Sequence, residues 1–394
     1  MRPSERLRAI FNLKIRGKDL HQVALLSDYV AMQAIPRHNA VGAWTLSISA
    51  DSDKAVHLLE GNGLIIRFNG ARIMSGDIQS VDSTQTSDDG DAGTLKVSGV
   101  DDNQLLKQAT VWPNPGQDDA HQTDGTYKVS GPAETVMRQL VNVNIGPAAR
   151  PARRVAGLVL ADDQGRGPTV TKQINQFANL LDVLADIGNS AGLGFRIVQV
   201  GAQRRFEVYQ PRASGLTWSF GRGNLSEVSY TKTPPTCTCA IVVAGGTSSP
   251  RVVKEYSRAD PLVPGLRIEH FVDKTDVDTG SVDLAAQMDQ AAEEALTAGA
   301  RQASLALSPI DIDGYRYGID YGVGDQGSVM VRGELITDTV REVTLNSDTS
   351  TGDTVRPVIG TADAADSQKP NSALMKLLAA INRKLRLIET RVPK

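Results

Sequence analysis

Apolar and polar positions alternate with a period of two along much of this chain. Trp44, Leu46 and Ile48 alternate with Thr45, Ser47 and Ser49, which predicts a half-buried strand. Leu64-Ile65-Ile66-Arg67-Phe68 and Ala71-Arg72-Ile73-Met74 flank Asn69-Gly70. Asn-Gly between apolar runs predicts a hairpin, because a type I′ turn needs positive φ at both central residues. Gly76 to Ser83 and Thr94 to Gly99 add further strands, so residues 20–110 read as β-rich. One short helix is expected within them at Asp51 to Glu60, with Asp51 as cap and Ala55, Leu58 and Leu59 on one face.

The period changes after a stretch rich in Pro, Gly, Asp and Gln at 111–131, which reads as a linker. Pro132 suits the first turn of a helix whose face is Val136, Met137, Leu140 and Val141. A second helix is expected from about Thr171, with Ile174, Phe177, Leu181, Leu184 and Ile187 at helical spacing, ending at Gly188, Gly192 and Gly194. Phe195 to Val200 and Arg205 to Gln210 then form a hairpin about Gly201, completing a small α+β domain over 132–213. Strands return over 214–345, interrupted by a helix from Val282 to Ala298 capped by Ser281, which predicts a second barrel or sandwich. Residues 346–371 read as a flexible polar linker, and 372–394 as a C-terminal helix. On that helix Leu374, Leu378, Ile381, Leu385 and Ile388 step by 4, 3, 4 and 3 residues, a short heptad seam suited to oligomerisation or to packing on the chain's own body.

Composition changes this picture little. The chain has 394 residues, 40% hydrophobic and 22% charged, with a formal net charge of −3. A duplex-binding protein shows an overall basic balance or a dense basic face, and the sequence presents neither globally. Charge is uneven: Met1 to Lys18 and the last 26 residues are basic, and Asp82 to Asp102 is acidic. No apolar run follows the basic start, so no Sec-type signal is expected, and no segment is apolar for long enough to span a membrane.

Candidate chemistry is sparse. Gly188-Asn189-Ser190-Ala191-Gly192 matches a nucleophile elbow in letters, but lies between a helix and a following strand, the reverse of the elbow's order. Asp311-Ile312-Asp313-Gly314 opens like a calcium loop, yet Gly322 occupies the position that needs an acid. Asp88, Asp89 and Asp91 read as an exposed acidic loop rather than a cation site. Cys237 and Cys239 fall on one strand face, too close for a disulfide and without a second metal-binding pair. The histidines at 21, 38, 57, 121 and 270 never pair at ligand spacing. Asn224-Leu225-Ser226 is a glycosylation sequon. No catalytic, cofactor-binding or metal residues are assigned, and no cofactor is expected.

Four segments together carry a resemblance. They are Val41 to Ile48 followed by Gly63 to Arg67; the hairpin ending Ile73-Met74-Ser75-Gly76; the passage from Leu180 to Leu184 through Gly194-Phe195-Arg196-Ile197 to Phe206-Glu207-Val208-Tyr209; and Asp320 to Gly327 with Arg341 to Leu345 and Pro357 to Gly360. In order and spacing they resemble the minor tail or baseplate hub proteins of long, non-contractile-tailed phages, across about residues 20–360.

The resemblance implies a mainly β chain with α+β content: a tube-like β-barrel domain over 1–110 and a second over 214–345, joined by the linker and the α+β domain. It implies a virion protein of the tail tip, assembled in the bacterial cytoplasm, that forms a ring, usually a homotrimer. Such a ring joins the tail tube to the host-attachment apparatus and surrounds the channel for DNA ejection. Expected partners are distal tail or tail tube proteins, the tape-measure protein, and fibre or receptor-binding proteins, without sequence-specific nucleic-acid contact. No catalytic residues come with it, so an enzyme is not expected. The alternatives are a tail-associated cell-wall hydrolase and a carbohydrate-binding receptor protein.

Overall fold

The structure is a computed structural model that describes residues 11–84, 93–245, 250–274, 279–280, 284–310, 312, 314–348 and 352–360. The expected C-terminal helix with its seam of Leu374, Leu378, Ile381, Leu385 and Ile388 lies outside the described residues. So do Asp88, Asp89, Asp91, Ser281, Asp311 and Asp313.

The N-terminal β region contains β1 (Phe11–Arg16), β2 (Gln22–Leu26), β3 (Tyr29–Ile35), β4 (Ala43–Ser49), β5 (Gly63–Phe68), β6 (Ala71–Thr84) and β7 (Thr94–Val100). On β4 the expected alternation is complete, with Trp44, Leu46 and Ile48 buried and their neighbours half-buried. The turn between β5 and β6 has Asn69 at φ 49° and Gly70 at φ 81°, both positive as the Asn-Gly signal requires. The helix expected at 51–60 shrinks to one 3-10 turn, Ala55–His57. Ser52 explains this: its hydroxyl accepts the Lys54 N–H at 3.1 Å, a local turn that competes with helical pairing.

The α+β module contains α1 (Gln104–Lys107), β8 (Thr126–Pro132), α2 (Ala133–Asn144), β9 (Leu158–Leu160), β10 (Thr169–Asn175), α3 (Leu180–Ala191), β11 (Gly194–Val200) and β12 (Gln203–Tyr209). α2 starts directly after Pro132, as expected. α3 starts later than Thr171, because the β-branched run Thr169-Val170-Thr171 pairs with β8 as a strand. Asn179 caps α3 instead, its Oδ1 accepting the Leu181 and Asp182 N–H groups at 3.0 and 3.4 Å. Gly192, at φ 64°, closes it. The expected linker 111–131 is not free: Val111 is buried and exchanges backbone bonds with Phe177 and Ala178, and its last residues belong to β8.

The C-terminal β region contains β13 (Ala213–Trp218), β14 (Leu225–Thr233), β15 (Cys239–Ala244), β16 (Val252–Ser257), β17 (Glu269–Lys274), α4 (Leu284–Ala298), β18 (Gln302–Pro309), β19 (Gln326–Val331), β20 (Glu334–Asp348) and β21 (Gly352–Gly360). β16-β15-β17 form a separate sheet with α4 on one face, closed by a small core of Ala240, Val242, Met288, Ala292 and Leu296. The helix interrupting 214–345 is therefore part of a module.

The remaining strands of both β regions form one 13-stranded sheet, with the path β14-β18-β21-β20-β3-β4-β7-β6-β5-β1-β2 and β13-β19 branching from β20. The two barrels expected from 1–110 and 214–345 are instead halves of an open, mainly β body; the path ends at β2 and β14 and does not close on itself among the described residues. The join is β20, whose 15 residues are long enough to pair β19 and β21 and still reach β3, matching Leu345 with Ala34 and Asp348 with Ala31. One core follows, running from Leu13 and Trp44 through Trp218 to Val343 and Ile359. The expected linker from 346 correspondingly begins later: β20 continues to Asp348, and β21 buries Val358 and Ile359 in the sheet. Among the described residues no helix is long and apolar enough to cross a membrane.

Candidate functional site

The residues with nominal chemistry are occupied structurally. Ser190 lies inside α3 and its hydroxyl donates to the Ile187 carbonyl at 3.1 Å, a helical back-bond rather than an elbow. Cys237 and Cys239 are free thiols, buried at 4% and 1% exposure. Asn224 is buried, its Nδ2 donating to Thr217 O and its Oδ1 accepting from Ser219 N, so this amide organises a turn. Among the described residues no group of three or more His, Cys, Asp or Glu could hold a metal ion.

The concentrated polar feature is the seam between the β body and the α+β module, whose charged residues no sequence motif singled out. Arg16, fully buried at the end of β1, donates from Nη1 to Asp102 Oδ2 (2.9 Å) and Gln199 Oε1 (2.7 Å), and from Nη2 to Asp102 Oδ1 and Asp77 Oδ1 (both 2.6 Å). Arg204, on β12 of the module, reaches the same carboxylates: Asp102 at 3.1 Å and Asp77 at 2.8 and 2.7 Å. Ser75 donates to Asp102 Oδ2 at 2.5 Å. Burial opposes the Arg16 charge, but the Asp102 and Asp77 carboxylates outweigh it and hold the guanidinium pKa above its usual value.

Beside this cluster, the free edge of β11 docks onto body side chains at every second residue. The N–H of Phe195 donates to Asn39 Oδ1 (3.0 Å), that of Ile197 to Asn103 Oδ1 (2.8 Å) and that of Gln199 to Ser75 Oγ (3.3 Å). A strand edge presents outward N–H groups at a period of two, and these three side chains satisfy them as a neighbouring strand would. Asn39 holds φ 51°, a left-handed conformation that asparagine tolerates, and its Nδ2 also donates to Leu193 O. The seam fixes the module's position, with the Ser75 hydroxyl and the Asp102 carboxylate both engaged in its hydrogen bonds.

A cleft of about 320 Å³ opens beside the seam, lined by residues including Asp101, Arg196, Tyr209 and Tyr321. Burial pushes the Asp101 carboxyl well above the usual carboxylate range. His38, whose Nδ1 lies 2.9 Å from the Tyr209 hydroxyl, is lowered to about 3 by burial and then by Arg341. Its sign is fixed by linkage: below pH 6.5 the unfolded chain takes up a proton that folded His38 refuses until about pH 3. Its contribution is therefore complete above pH 6.5 and lost as pH falls, by at most about 1.4 kcal/mol per unit. The melting temperature is expected to drop more steeply between pH 6.5 and 4 in the wild type than in His38→Gln; parallel slopes would refute this.

The family model described as Siphovirus ReqiPepy6 Gp37-like protein matches residues 12–361. No curated protein matches the chain in sequence. Among solved structures, the 43 kDa tail protein of prophage MuSo2 from Shewanella oneidensis is similar at TM-score 0.58 and 12% identity, over 89% of this chain and 97% of that one. A tail protein from Neisseria meningitidis MC58 is similar at TM-score 0.56 and 14% identity, over 89% and 97%. Prophage tail protein gp18 from Listeria monocytogenes EGD-e is similar at 0.54 and 10%, over 95% and 99%. At these identities the likeness is one of fold.

Proposed function

The chain belongs to the Siphovirus ReqiPepy6 Gp37-like protein family, and on that premise we propose that it is a structural subunit of a phage tail tip. In this reading it acts as a hub: copies form a ring, as a homotrimer, that joins the tail tube to the host-attachment apparatus and surrounds the channel for DNA passage. Its partners are distal tail or tube proteins, the tape-measure protein and fibre or receptor-binding proteins, and its place is the virion tail. The role is mechanical, without catalysis. The observation that carries the reading is the family match over residues 12–361, supported by a fold shared with tail proteins along nearly the whole chain.

The architecture suits such a role. The sheet ends at three strands without a further partner among the described residues, β2, β14 and, on the branch, β13, and β2 exposes Val23 and Leu25 at 46% and 48%. An open edge with apolar side chains is an aggregation hazard in a free monomer and a docking surface in an assembly. The two halves of the sheet are the units that, three copies to a ring, would present six similar surfaces to a tube above. The seam of Leu374, Leu378, Ile381, Leu385 and Ile388 would add a threefold contact. The test is the absolute mass of the purified protein by light scattering on a sizing column: a threefold multiple of 42.1 kDa is expected. A monomer that stays so in the presence of its tail tube protein would overturn the reading.

A further inference from the structure

Charge is separated along the β body. Arg67 on β5 and Arg72 on β6 are direct register partners. Like charges directly opposite each other on paired strands destabilise a sheet. The charges that bear on Arg72 are the guanidiniums of Arg67, Arg205 and Arg196, with one carboxylate, Glu207. Glu207 is already shared by two of them, Arg196 at 2.7 Å and Arg205 at 2.9 Å. A groove of about 330 Å³ lies on the same face, lined by Lys14, Arg67 and Arg72 and by no carboxylate. A strongly basic concave face is thus kept at the cost of local repulsion.

The opposite charge sits at the far end of the same strands. β6 carries Arg72 near its start and exposed Asp82 near its finish, about 33 Å along the strand at the usual rise per residue. Ser49 pairs with Thr94 and Tyr29 with Ile48, so the strand ends bearing Asp28, Asp51 and Asp53 lie beside that of Asp82. The β20–β21 turn, with Asp353, reaches the same end through the β20–β3 pairing. Lys54 offsets Asp53, and Lys96 on β7, the register partner of Asp82, offsets part of that charge, so the end stays acidic through Asp28, Asp51 and Asp353 beside them.

We propose that the ring closes head to tail, the basic face around Arg67 and Arg72 of one copy docking on the acidic strand ends at Asp51, Asp82 and Asp353 of the next. The occupant is a second copy because the two surfaces are complementary in charge yet too far apart to meet within one chain. Contacts between two different patches of the same chain generate rings when their rotation closes. The inference rests on the ring reading above and specifies its contact.

Charge reversal tests it on the full chain. In light scattering at low salt, Arg67→Glu/Arg72→Glu and, separately, Asp51→Lys/Asp82→Lys/Asp353→Lys are each expected to weaken self-association by about tenfold or more, while the chain carrying both sets regains it. Wild-type association should also weaken with added salt, as exposed charges are screened. Melting curves establish that each variant folds, and the acidic-end set alters only exposed positions. Association that is indifferent to either reversal overturns this contact and leaves the ring reading standing; a wild type that stays monomeric even in the presence of its tail tube protein overturns the ring reading itself. Undisturbed association together with loss of duplex-DNA retention in Arg67→Glu/Arg72→Glu would reassign the face to nucleic acid.

Discussion

Asp102→Ala is expected to destabilise the chain by about 3–5 kcal/mol, because it strands a buried charge. Arg16 has no exposed surface, and Asp102 accepts from both of its terminal nitrogens. Asp77, the remaining carboxylate, keeps 35% of its side chain exposed and also serves Arg204. A domain of ordinary stability has about 5–15 kcal/mol in total, so this one change should bring the chain close to unfolding at room temperature. The pair's net worth is a separate quantity. Arg16→Met with Asp102→Leu removes both charges together, and replacing a buried ion pair by apolar groups is often close to neutral. Denaturant melts of the single and double variants separate the two. A single variant that loses less than about 1 kcal/mol would mean that water or a neighbouring group reaches Arg16 and that the seam is not dry.

Gly76→Ala is expected to cost about 3 kcal/mol or more, the upper range for an overpacked core position. A Cβ there would lie 1.8 Å from the Val100 carbonyl oxygen and 2.7 Å from the Asp101 Cα. Both neighbours are backbone, so the clash is relieved only by parting β6 from the end of β7, which would also displace Asp102 from Arg16. Gly70→Ala is the comparison: it meets nothing within 4 Å, and its φ of 81° sets the penalty, about 1–2 kcal/mol for an alanine in a left-handed conformation. Thermal melts of both variants should rank Gly76→Ala well below Gly70→Ala; equal losses would show that β6 shifts freely.

The parts of the fold legible in the sequence are those whose cause is local. Trp44, Leu46 and Ile48 announce a strand by alternation, Asn69-Gly70 announces its hairpin by turn chemistry, and Pro132 and Gly192 bracket helices by their backbone preferences. Thr169 to Asn175 misled because Ile174 and Phe177 continue a helical spacing backwards into a segment whose β-branched residues pair with β8. The merger of the two β regions was illegible in principle, since nothing near Leu345 specifies Ala34 as its neighbour. The seam was illegible for the same reason: Arg16, Asp77, Asp102 and Arg204 look like ordinary surface charges until the module docks. Ser75-Gly76 stands out in the sequence only as part of a family pattern, and the structure supplies its physical sense, a hydroxyl for Asp102 and a bare backbone against Val100. The family is legible through the order and spacing of four short segments taken together rather than through any one of them.

The pairing of β3 with β20 also determines when the body can form. Ala31 and its neighbours are among the first described residues to leave the ribosome, whereas their partners up to Asp348 are among the last. The α+β module draws its core from residues between Leu106 and Val208, and the β15–β17 module from those between Cys237 and Leu296, so both can condense during synthesis. The β3 edge must wait. Pairings so distant along the chain are slow to find, since the loop entropy is lost before contacts repay it. The β3 edge therefore stays unsatisfied until β20 has been made, and over that interval it is open to pairing with another chain.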